Sequence, residues 1–265
     1  MFKTSKIWIV TDIDGTLMDH SYDYSPAKDA INWLQELKIP IIPCTSKTAS
    51  EVKIIRNELN LRDPYIVENG GAIHGEKLDG SSWELILGLS YQKLSIILDL
   101  ISNEINYKLI PLNNLSDNEA TKLTGLTGHS LTLMRDRHWS MPFLNPPANI
   151  EDKLTEICKL YDVEIFRGNR MSHMLSINSN KGKAIDKLKS ISEQDDVKII
   201  GLGDSPNDLP LLLHSDYRIV IISAEGPNKK LTNNLKNVDF IISKDPHGYG
   251  WNKEIKNLVE KLIQT

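Results

Sequence analysis

Short β-branched runs alternate with amphipathic stretches in both terminal parts of the chain. In the N-terminal part this pattern predicts strands over residues 7–11, 39–44 and 65–67, and helices over residues 26–37, with Ser25 as N-cap, and 48–59. In the C-terminal part it predicts helices over residues 181–191 and 208–214 and strands over residues 197–202 and 217–222. Such alternation is typical of a parallel sheet covered by helices.

The pattern changes between roughly residues 84 and 178. Its elements are longer and less regular, with turn clusters at Asn113-Asn114 and Asn145-Pro146-Pro147, and a strand predicted over residues 171–177 follows helices without a glycine-rich crossover. We therefore expect an α/β protein. Its doubly wound, Rossmann-like parallel-sheet core would be formed by residues 1–83 and 179–265, with an α+β domain inserted at residues 84–178.

Two aspartates, Asp12 and Asp14, follow the first predicted strand directly, and Gly15 and Thr16 come next. Residues two apart in a strand point to the same side, so we expect both carboxylates to leave the sheet end together. Two anions held that close need a cation or a shared proton, and oxygen ligands favour Mg²⁺. An ordinary turn at the end of a strand is the alternative interpretation.

Three more polar segments are predicted at the same edge of the sheet, where open α/β sheets bind ligands. They are Thr45-Ser46-Lys47-Thr48 after the second strand, Ser179-Asn180-Lys181 at a helix start, and Gly203-Asp204-Ser205-Pro206-Asn207-Asp208 after a later strand. Asp204 is the natural third oxygen ligand of a metal, with Asp208 supporting it directly or through water. Each segment also has a plain interpretation: a helix N-cap, a solvated lysine and an acidic turn.

The composition excludes several classes of protein but does not indicate a reaction. The 265 residues carry a formal net charge of -4 and no polybasic tract, which argues against a nucleic-acid partner. Cys44 and Cys158 lack metal-ligand spacing and indicate no disulfide framework. The N-terminal apolar run is too short for a signal peptide or a membrane span, so we expect a cytoplasmic enzyme without a membrane partner.

In order along the chain, the motifs Asp-x-Asp, Thr, Lys and Gly-Asp-x-x-x-Asp resemble those of the haloacid-dehalogenase-like phosphatase superfamily. The resemblance implies an aspartyl-phosphate mechanism. Asp12 would attack phosphorus, and Asp14 would protonate the leaving alkoxide and then activate water. Thr45 and Lys181 would hold the phosphoryl oxygens. The implied cofactor is Mg²⁺, with Asp12, Asp14, Asp204 and Asp208 as its ligands.

The inserted domain resembles the cap of the sugar-phosphatase branch, and other segments are similar to mannosyl-3-phosphoglycerate phosphatases. These are Thr45-Ser46-Lys47-Thr48, Ile66-Val67-Glu68-Asn69-Gly70-Gly71, Leu123-Thr124-Gly125-Leu126, Arg137-His138-Trp139-Ser140-Met141-Pro142-Phe143 and the stretch from residue 203 to 211. The implied substrate is a glycosyl 3-phosphoglycerate, and its product is a compatible solute.

Recognition of that substrate needs cations and polar groups, and arginine can grip a carboxylate with two hydrogen bonds. The expected substrate-binding residues are Ser46, Lys47, Asn69, Gly70, Arg137, Ser140, Asn169, Arg170 and His173. Met141 stands where the family pattern commonly has glutamate. The mannosyl and glucosyl compounds therefore both remain open.

Three other functions stay open on the sequence alone. One is a phosphosugar mutase of the same fold, which would need an activating bisphosphate. Another is a sucrose-phosphate or other sugar phosphatase, and the third is a sugar-phosphate sensor built on an inactive core. We expect a monomer or a weak homodimer.

Overall fold

The computed structural model describes residues 5–19, 21–77, 79–168, 170–194 and 196–264. The first part of the chain contains β1 Ile7–Thr11, α1 Lys28–Glu36, β2 Ile41–Pro43, α2 Ala49–Glu58, β3 Tyr65–Val67, β4 Ala72–Glu76 and β5 Ser82–Ile86. The middle contains α3 Tyr91–Ile105, α4 Asp117–Thr124, α5 Gly128–Arg135, β6 Met141–Leu144, α6 Glu151–Leu160, β7 Val163–Arg167 and β8 Met171–Ser176. The last part contains α7 Lys181–Ser192, β9 Lys198–Gly203, α8 Leu209–Leu213, β10 Tyr217–Ile222, α9 Lys229–Asn234, β11 Ile241–Pro246 and α10 His247–Gln264.

A five-stranded parallel sheet in the order β11-β10-β9-β1-β2 joins the two ends of the chain. Strand residues alternate between its two faces. Ile9, Ile41 and Ile200 pack with α1, α2 and α10, whereas Trp8, Val10 and Ile199 pack with α7, α8 and α9. The doubly wound α/β core is therefore confirmed. It brings the carboxyl ends of β1, β2 and β9 to one edge.

The middle of the chain forms a second layered unit, residues 91–176 from α3 to β8, which we call the cap. Its antiparallel sheet has the order β6-β8-β7. One face of that sheet is covered by α3 and α6 through a buried cluster that includes Leu98, Phe143 and Met174. The inserted α+β domain predicted from the sequence is thus confirmed. In the cap, Met141 is fully buried and packs in the same cluster.

The core extends slightly beyond the first predicted boundary. β5 runs across residue 83 and pairs with β4 from Ala72↔Ile86 to Glu76↔Ser82. Trp83 and Leu85 also pack against the buried cluster under α7. The side chains of β5 thus contribute to the core, and the chain reaches the cap only after residue 86.

The start of α1 differs from the prediction. Ser25 is not a side-chain N-cap, because residues Ser25–Ala27 form a 3₁₀ turn ahead of the helix. The amide and hydroxyl of Ser25 instead donate to the Asp23 carboxylate. Among the described residues, no helix combines the length and the apolar character needed to cross a membrane.

Candidate active site

A buried lysine joins acidic groups from both halves of the core. Lys181 begins α7, and its Nζ donates to Asp12 Oδ1 at 2.7 Å and to Asp208 Oδ1 at 2.6 Å. Asp12 directly follows β1, and Asp208 follows β9. Only 1% of Lys181 is exposed. Burial lowers the pKa of Lys181, but Asp12 and Asp208 outweigh it and raise that pKa above its usual range, so the amine is a cation.

Asp12, Asp204 and Asp208 form an acidic cluster whose members each offer one oxygen, and these oxygens lie within 4.8 Å of one another. Burial, reinforced by Asp208, raises the pKa of Asp12 to about 7. Burial and the same neighbour raise the pKa of Asp204 as well. One lysine thus neutralises the cluster only in part. Three carboxylate oxygens at this spacing fit a hard divalent cation, which would stabilise their charged forms.

Backbone groups and a hydroxyl fix the orientation of two members of the acidic cluster. The amides of Asp204 and Ser205 both donate to Asp208 Oδ2 at 3.0 Å. Thr16 Oγ1 donates to Asp204 Oδ1 at 3.0 Å. Gly15 makes that approach possible, because its φ is +82° and a Cβ there would lie 2.6 Å from Asp204 Oδ2.

The side chain of Asp14, which the sequence predicts to bind the metal beside Asp12, lies outside the acidic cluster. Its Oδ2 is 3.0 Å from Lys47 Nζ, and 40% of the side chain is exposed. β1 ends at Thr11, so the alternation of a strand no longer governs the turn that carries Asp14. The two carboxylates separate, and each pairs with a different lysine.

The segment from Thr45 to Thr48 serves several purposes. Thr45 is fully buried, and its Oγ1 accepts a hydrogen bond from the Lys47 amide at 3.2 Å. Burial lowers the pKa of Lys47, but Asp14 and Glu51 outweigh it and raise that pKa. Thr48 is the N-cap of α2 and forms a capping box with Glu51. The plain interpretation as a helix cap therefore holds for Thr48.

Asn69 and Gly70 form a buried turn after β3, beside the start of α7. The Asn69 side-chain oxygen accepts from Asn207 Nδ2 at 3.3 Å. Gly70 has a φ of +96°, and a Cβ there would lie 2.3 Å from the Asn180 carbonyl oxygen. The close packing requires glycine at this position, and it places Asn69 next to Lys181.

Glu68 is a functional candidate that the motif reasoning did not single out. This core residue is 1% exposed, and its carboxylate accepts from the His138 amide at 2.9 Å, the Trp139 amide at 3.1 Å and Ser140 Oγ at 2.5 Å. All three donors belong to the cap. A signal was present in the sequence, because Glu68 directly follows a short apolar strand just as Asp12 does.

Arg137 and Ser140, both expected to bind substrate, hold the cap against the core. Arg137 is mostly buried and donates to the Ser46 carbonyl at 2.6 Å, to the Met134 carbonyl at 3.0 Å and to Ser140 Oγ at 3.3 Å. Ser140 in turn donates to Glu68. Ser46 contributes its carbonyl oxygen to this contact. The sequence could not predict these contacts between cap and core, because they depend on how the two domains dock.

The remaining cap residues differ in their surroundings. Arg170 is exposed, and its guanidinium donates to the Thr124 carbonyl at 2.6 Å within the cap. No described residue hydrogen-bonds His173 Nδ1, which is buried. Burial, aided by Arg137, lowers the pKa of His173 to about 3, so its imidazole is neutral. Asn169 lies outside the described residues.

A cap side chain also reaches the core site. Phe166 of β7 lines a small gap that is bordered on the core side by Lys181, Asn69 and Asn207. Lys181, which lines the gap, is the residue that pairs with Asp12 and Asp208 of the acidic cluster. The cap therefore covers part of the edge where the charged groups meet.

Comparison with known proteins places these features in a family context. The sequence profile of the haloacid dehalogenase-like hydrolases matches residues 9–123 and 130–238. A relative from Methanococcoides burtonii is 34% identical over 96% of this chain and 97% of its own length. One from Persephonella marina is 32% identical over 96% of this chain and 97% of its own length. Both are named glucosyl-3-phosphoglycerate/mannosyl-3-phosphoglycerate phosphatase.

Solved structures share the whole fold at low sequence identity. A phosphatase of the haloalkanoate enzyme superfamily from Bacteroides thetaiotaomicron superposes with a TM-score of 0.72 at 18% identity, covering 97% of each chain. A sucrose-phosphatase from Synechocystis, solved with sucrose and phosphate, gives 0.65 at 16% identity and covers 96% of this chain and 98% of its own. These similarities support the arrangement of core and cap and say nothing about the substrate.

Proposed function

Because this chain belongs to the haloacid dehalogenase-like hydrolase family and is a phosphatase of that family, we propose that it hydrolyses glucosyl-3-phosphoglycerate or mannosyl-3-phosphoglycerate to the glycosylglycerate and phosphate. The observation that carries the chemistry is the buried Lys181 between Asp12 and Asp208, beside Asp204. The choice of substrate rests on two relatives that align with 96% of the chain and carry that name.

Asp12 is the proposed nucleophile. Its carboxylate oxygen forms a bond to phosphorus while the phosphorus–oxygen bond of the ester breaks, and the electron pair passes to the departing oxygen. Asp14 gives that oxygen a proton. It then takes a proton from a water molecule that attacks phosphorus and releases phosphate from Asp12. The exposure of Asp14 and the burial of Asp12 support this division of roles.

Other core groups orient the reacting atoms. Lys181 keeps the Asp12 carboxylate in place through its 2.7 Å hydrogen bond and offers positive charge to the phosphoryl oxygens. Thr45 is buried at the end of the neighbouring strand and is proposed to donate its hydroxyl proton to one of those oxygens. Asn69 and Gly70 shape the wall of the site beside Lys181.

Asp12, Asp204 and Asp208 are the residues that would hold Mg²⁺. When bound, the ion would offset the negative charge of the nucleophile and of the phosphate ester. The donor set supports this choice, because all three ligands are carboxylate oxygens, which are typical of hard cations. Asp14 is not assigned to the metal, since its side chain pairs with Lys47.

Substrate selection is assigned to the cap. Arg170 is an exposed cation suited to the glycerate carboxylate, and Asn169 is its chain neighbour. His173 Nδ1 offers a hydrogen bond to a sugar hydroxyl. We place the enzyme in the cytoplasm as a monomer or a weak homodimer, and its net charge of -4 gives no support for a nucleic-acid partner.

The experiment that tests the proposal is a panel of esters incubated with the purified protein and Mg²⁺. Phosphate release should be fastest from glucosyl- or mannosyl-3-phosphoglycerate, with a kcat/KM about 10–100 times that for sucrose phosphate or hexose phosphates. No activating bisphosphate should be needed. Equal turnover of sucrose phosphate would overturn the substrate assignment, and a requirement for a bisphosphate would favour a mutase.

A further inference from the structure

The sequence assigned Lys47 to substrate binding, but its position beside Asp14 points to a different role. We infer that Lys47 is a positioning residue that holds Asp14 where the alcohol departs, rather than a ligand of the phosphate. This inference rests on the proposed function, in which Asp14 protonates the leaving oxygen. The observation that carries it is the 3.0 Å ion pair between Lys47 Nζ and Asp14 Oδ2.

The Lys47 side chain is restrained on several sides. It is 7% exposed, and its Nζ lies 3.7 Å from Glu51 Oε1 and 5.1 Å from the centre of the Tyr22 ring. Its backbone carbonyl accepts a hydrogen bond from the Glu68 amide at 2.9 Å. A buried ammonium held by two carboxylates and an aromatic face has its charge already matched. Recruiting it to a phosphate would require breaking these contacts.

Asp14, in contrast, has little else to fix it. It lies in a turn beyond the end of β1, and its side chain is 40% exposed. The acidic cluster next to it repels a further carboxylate in the absence of a cation. Without Lys47 we expect the Asp14 carboxylate to turn into solvent. Lys47 thus holds the Asp14 carboxylate in place, as Lys181 holds that of Asp12.

The two candidate roles of Lys47 predict different dependences of the reaction rate on the leaving group. In the first chemical step the phosphorus–oxygen bond breaks, the electron pair passes to the ester oxygen, and Asp14 supplies a proton to it. A strongly basic alkoxide needs that proton, whereas a weakly basic nitrophenolate departs without it. A phosphate ligand would instead act equally on every ester, because each ester presents the same phosphoryl oxygens.

The test compares kcat/KM of Lys47→Met on glucose 6-phosphate and on p-nitrophenyl phosphate. For each ester, kcat/KM reports the steps up to departure of the alcohol and excludes the later hydrolysis of the phosphoenzyme. We expect a loss of about 100-fold on the alkyl ester and less than about 3-fold on the aryl ester. Equal losses on both esters, together with weaker inhibition by inorganic phosphate, would overturn the inference and make Lys47 a phosphate ligand.

A double-mutant cycle shows whether Lys47 acts through Asp14. On glucose 6-phosphate, adding Lys47→Met to Asp14→Asn should change kcat/KM by less than about 2-fold, because the group that Lys47 positions is already lost. A further loss as large as that in the wild-type background would contradict the inference. Lys47→Arg, which keeps the cation, should recover at least about 10-fold over Lys47→Met on the alkyl ester.

Glu51→Gln is the matched control, because it removes the other carboxylate near Lys47 while its amide oxygen can still accept from the Thr48 amide. Its kcat/KM should stay within about 2-fold on both esters. A selective loss on the alkyl ester would show that Glu51, not Asp14, is the partner that matters. Both simple esters are substrates for phosphatases of many kinds. Failure of wild type on glycosyl phosphoglycerates alone would therefore overturn the substrate assignment and leave this comparison intact.

Discussion

The core and the cap use their charged groups in different ways. In the core, Lys181 and Lys47 each hold an aspartate that the proposed reaction needs, and the partners come from distant parts of the chain. In the cap, Arg137 and Ser140 attach to Ser46 and Glu68 of the core. The core thus arranges the chemistry, whereas part of the cap motif serves to dock one domain on the other. We propose that other cap residues recognise the substrate.

The largest expected effect concerns the core. Asp12→Asn should lower kcat on every ester by about 10⁴-fold or more, since no other group can form the proposed phosphoenzyme. Phosphate release under saturating substrate measures this loss. Asp29→Asn, which removes a surface carboxylate paired with Lys256, is the control and should keep full activity. Appreciable turnover by the Asp12 variant would remove Asp12 as the nucleophile.

The next largest effect is the loss of stability when a buried rather than an exposed lysine is removed. Lys181→Met should lower the free energy of unfolding by about 3–5 kcal/mol, because Asp12 and Asp208 lose the cation between them in a buried site. Lys198→Met removes a lysine from an exposed pair with Asp216 and should cost less than about 1 kcal/mol. Urea unfolding of both variants without metal gives the comparison. Similar small losses would show that the buried network contributes little to stability.

The pH dependence of stability should also come from the core. Asp12 has a pKa raised to about 7 in the folded protein against 3.8 as its ordinary value, so the folded state binds the proton more tightly. This group's contribution is fully present below pH 3.8 and is lost as the pH rises to about 7. Mg²⁺ competes with that proton, and its stabilising effect should therefore grow from pH 5 to pH 7.5.

Thermal unfolding with EDTA and with Mg²⁺ at the two pH values measures this effect. The metal-free protein should have the lower Tm at pH 7.5, and Mg²⁺ should raise that Tm by more than it does at pH 5. An equal shift at both pH values would mean that the carboxylates of the acidic cluster do not bind the ion.

The smallest effect separates two arginines of the cap. Arg170→Ala should raise KM for glucosyl-3-phosphoglycerate by about 10-fold and change p-nitrophenyl phosphate hydrolysis by less than about 2-fold, because its proposed role is to bind the glycerate carboxylate. Arg137→Ala removes a contact between domains, so it should lower kcat/KM for both esters by similar factors. Steady-state kinetics on the two esters distinguish them. Equal losses in the Arg170 variant would exclude it from recognition.

The sequence predicts more of the candidate site in the core than in the cap, for a physical reason. Strand ends of a parallel sheet meet at one edge, so the motifs around Asp12, Lys181 and Asp204 could be placed together from their order alone. The direction of a side chain in a turn follows no such periodicity, and the side chain of Asp14 accordingly lies apart from the acidic cluster.

Cap residues were harder to assign because their partners depend on docking between domains. Arg137 and Ser140 match the family motif, yet the structure places them on Ser46 and Glu68. Met141, which stands where the family pattern commonly has glutamate, is buried inside the cap. Hydropathy could indicate its burial but could not show which of its neighbours face the substrate.

Phosphoryl transfer through Asp12 is the step on which the proposed mechanism depends. Rapid acid quenching during turnover of p-nitrophenyl phosphate, followed by mass spectrometry of the digested protein, tests it most directly. One phosphoryl group is expected on the peptide that contains Asp12, and more of it in Asp14→Asn, in which hydrolysis of the phosphoenzyme is slowed. Turnover with no phosphorylated peptide, or with the group on another residue, would exclude Asp12 as the nucleophile.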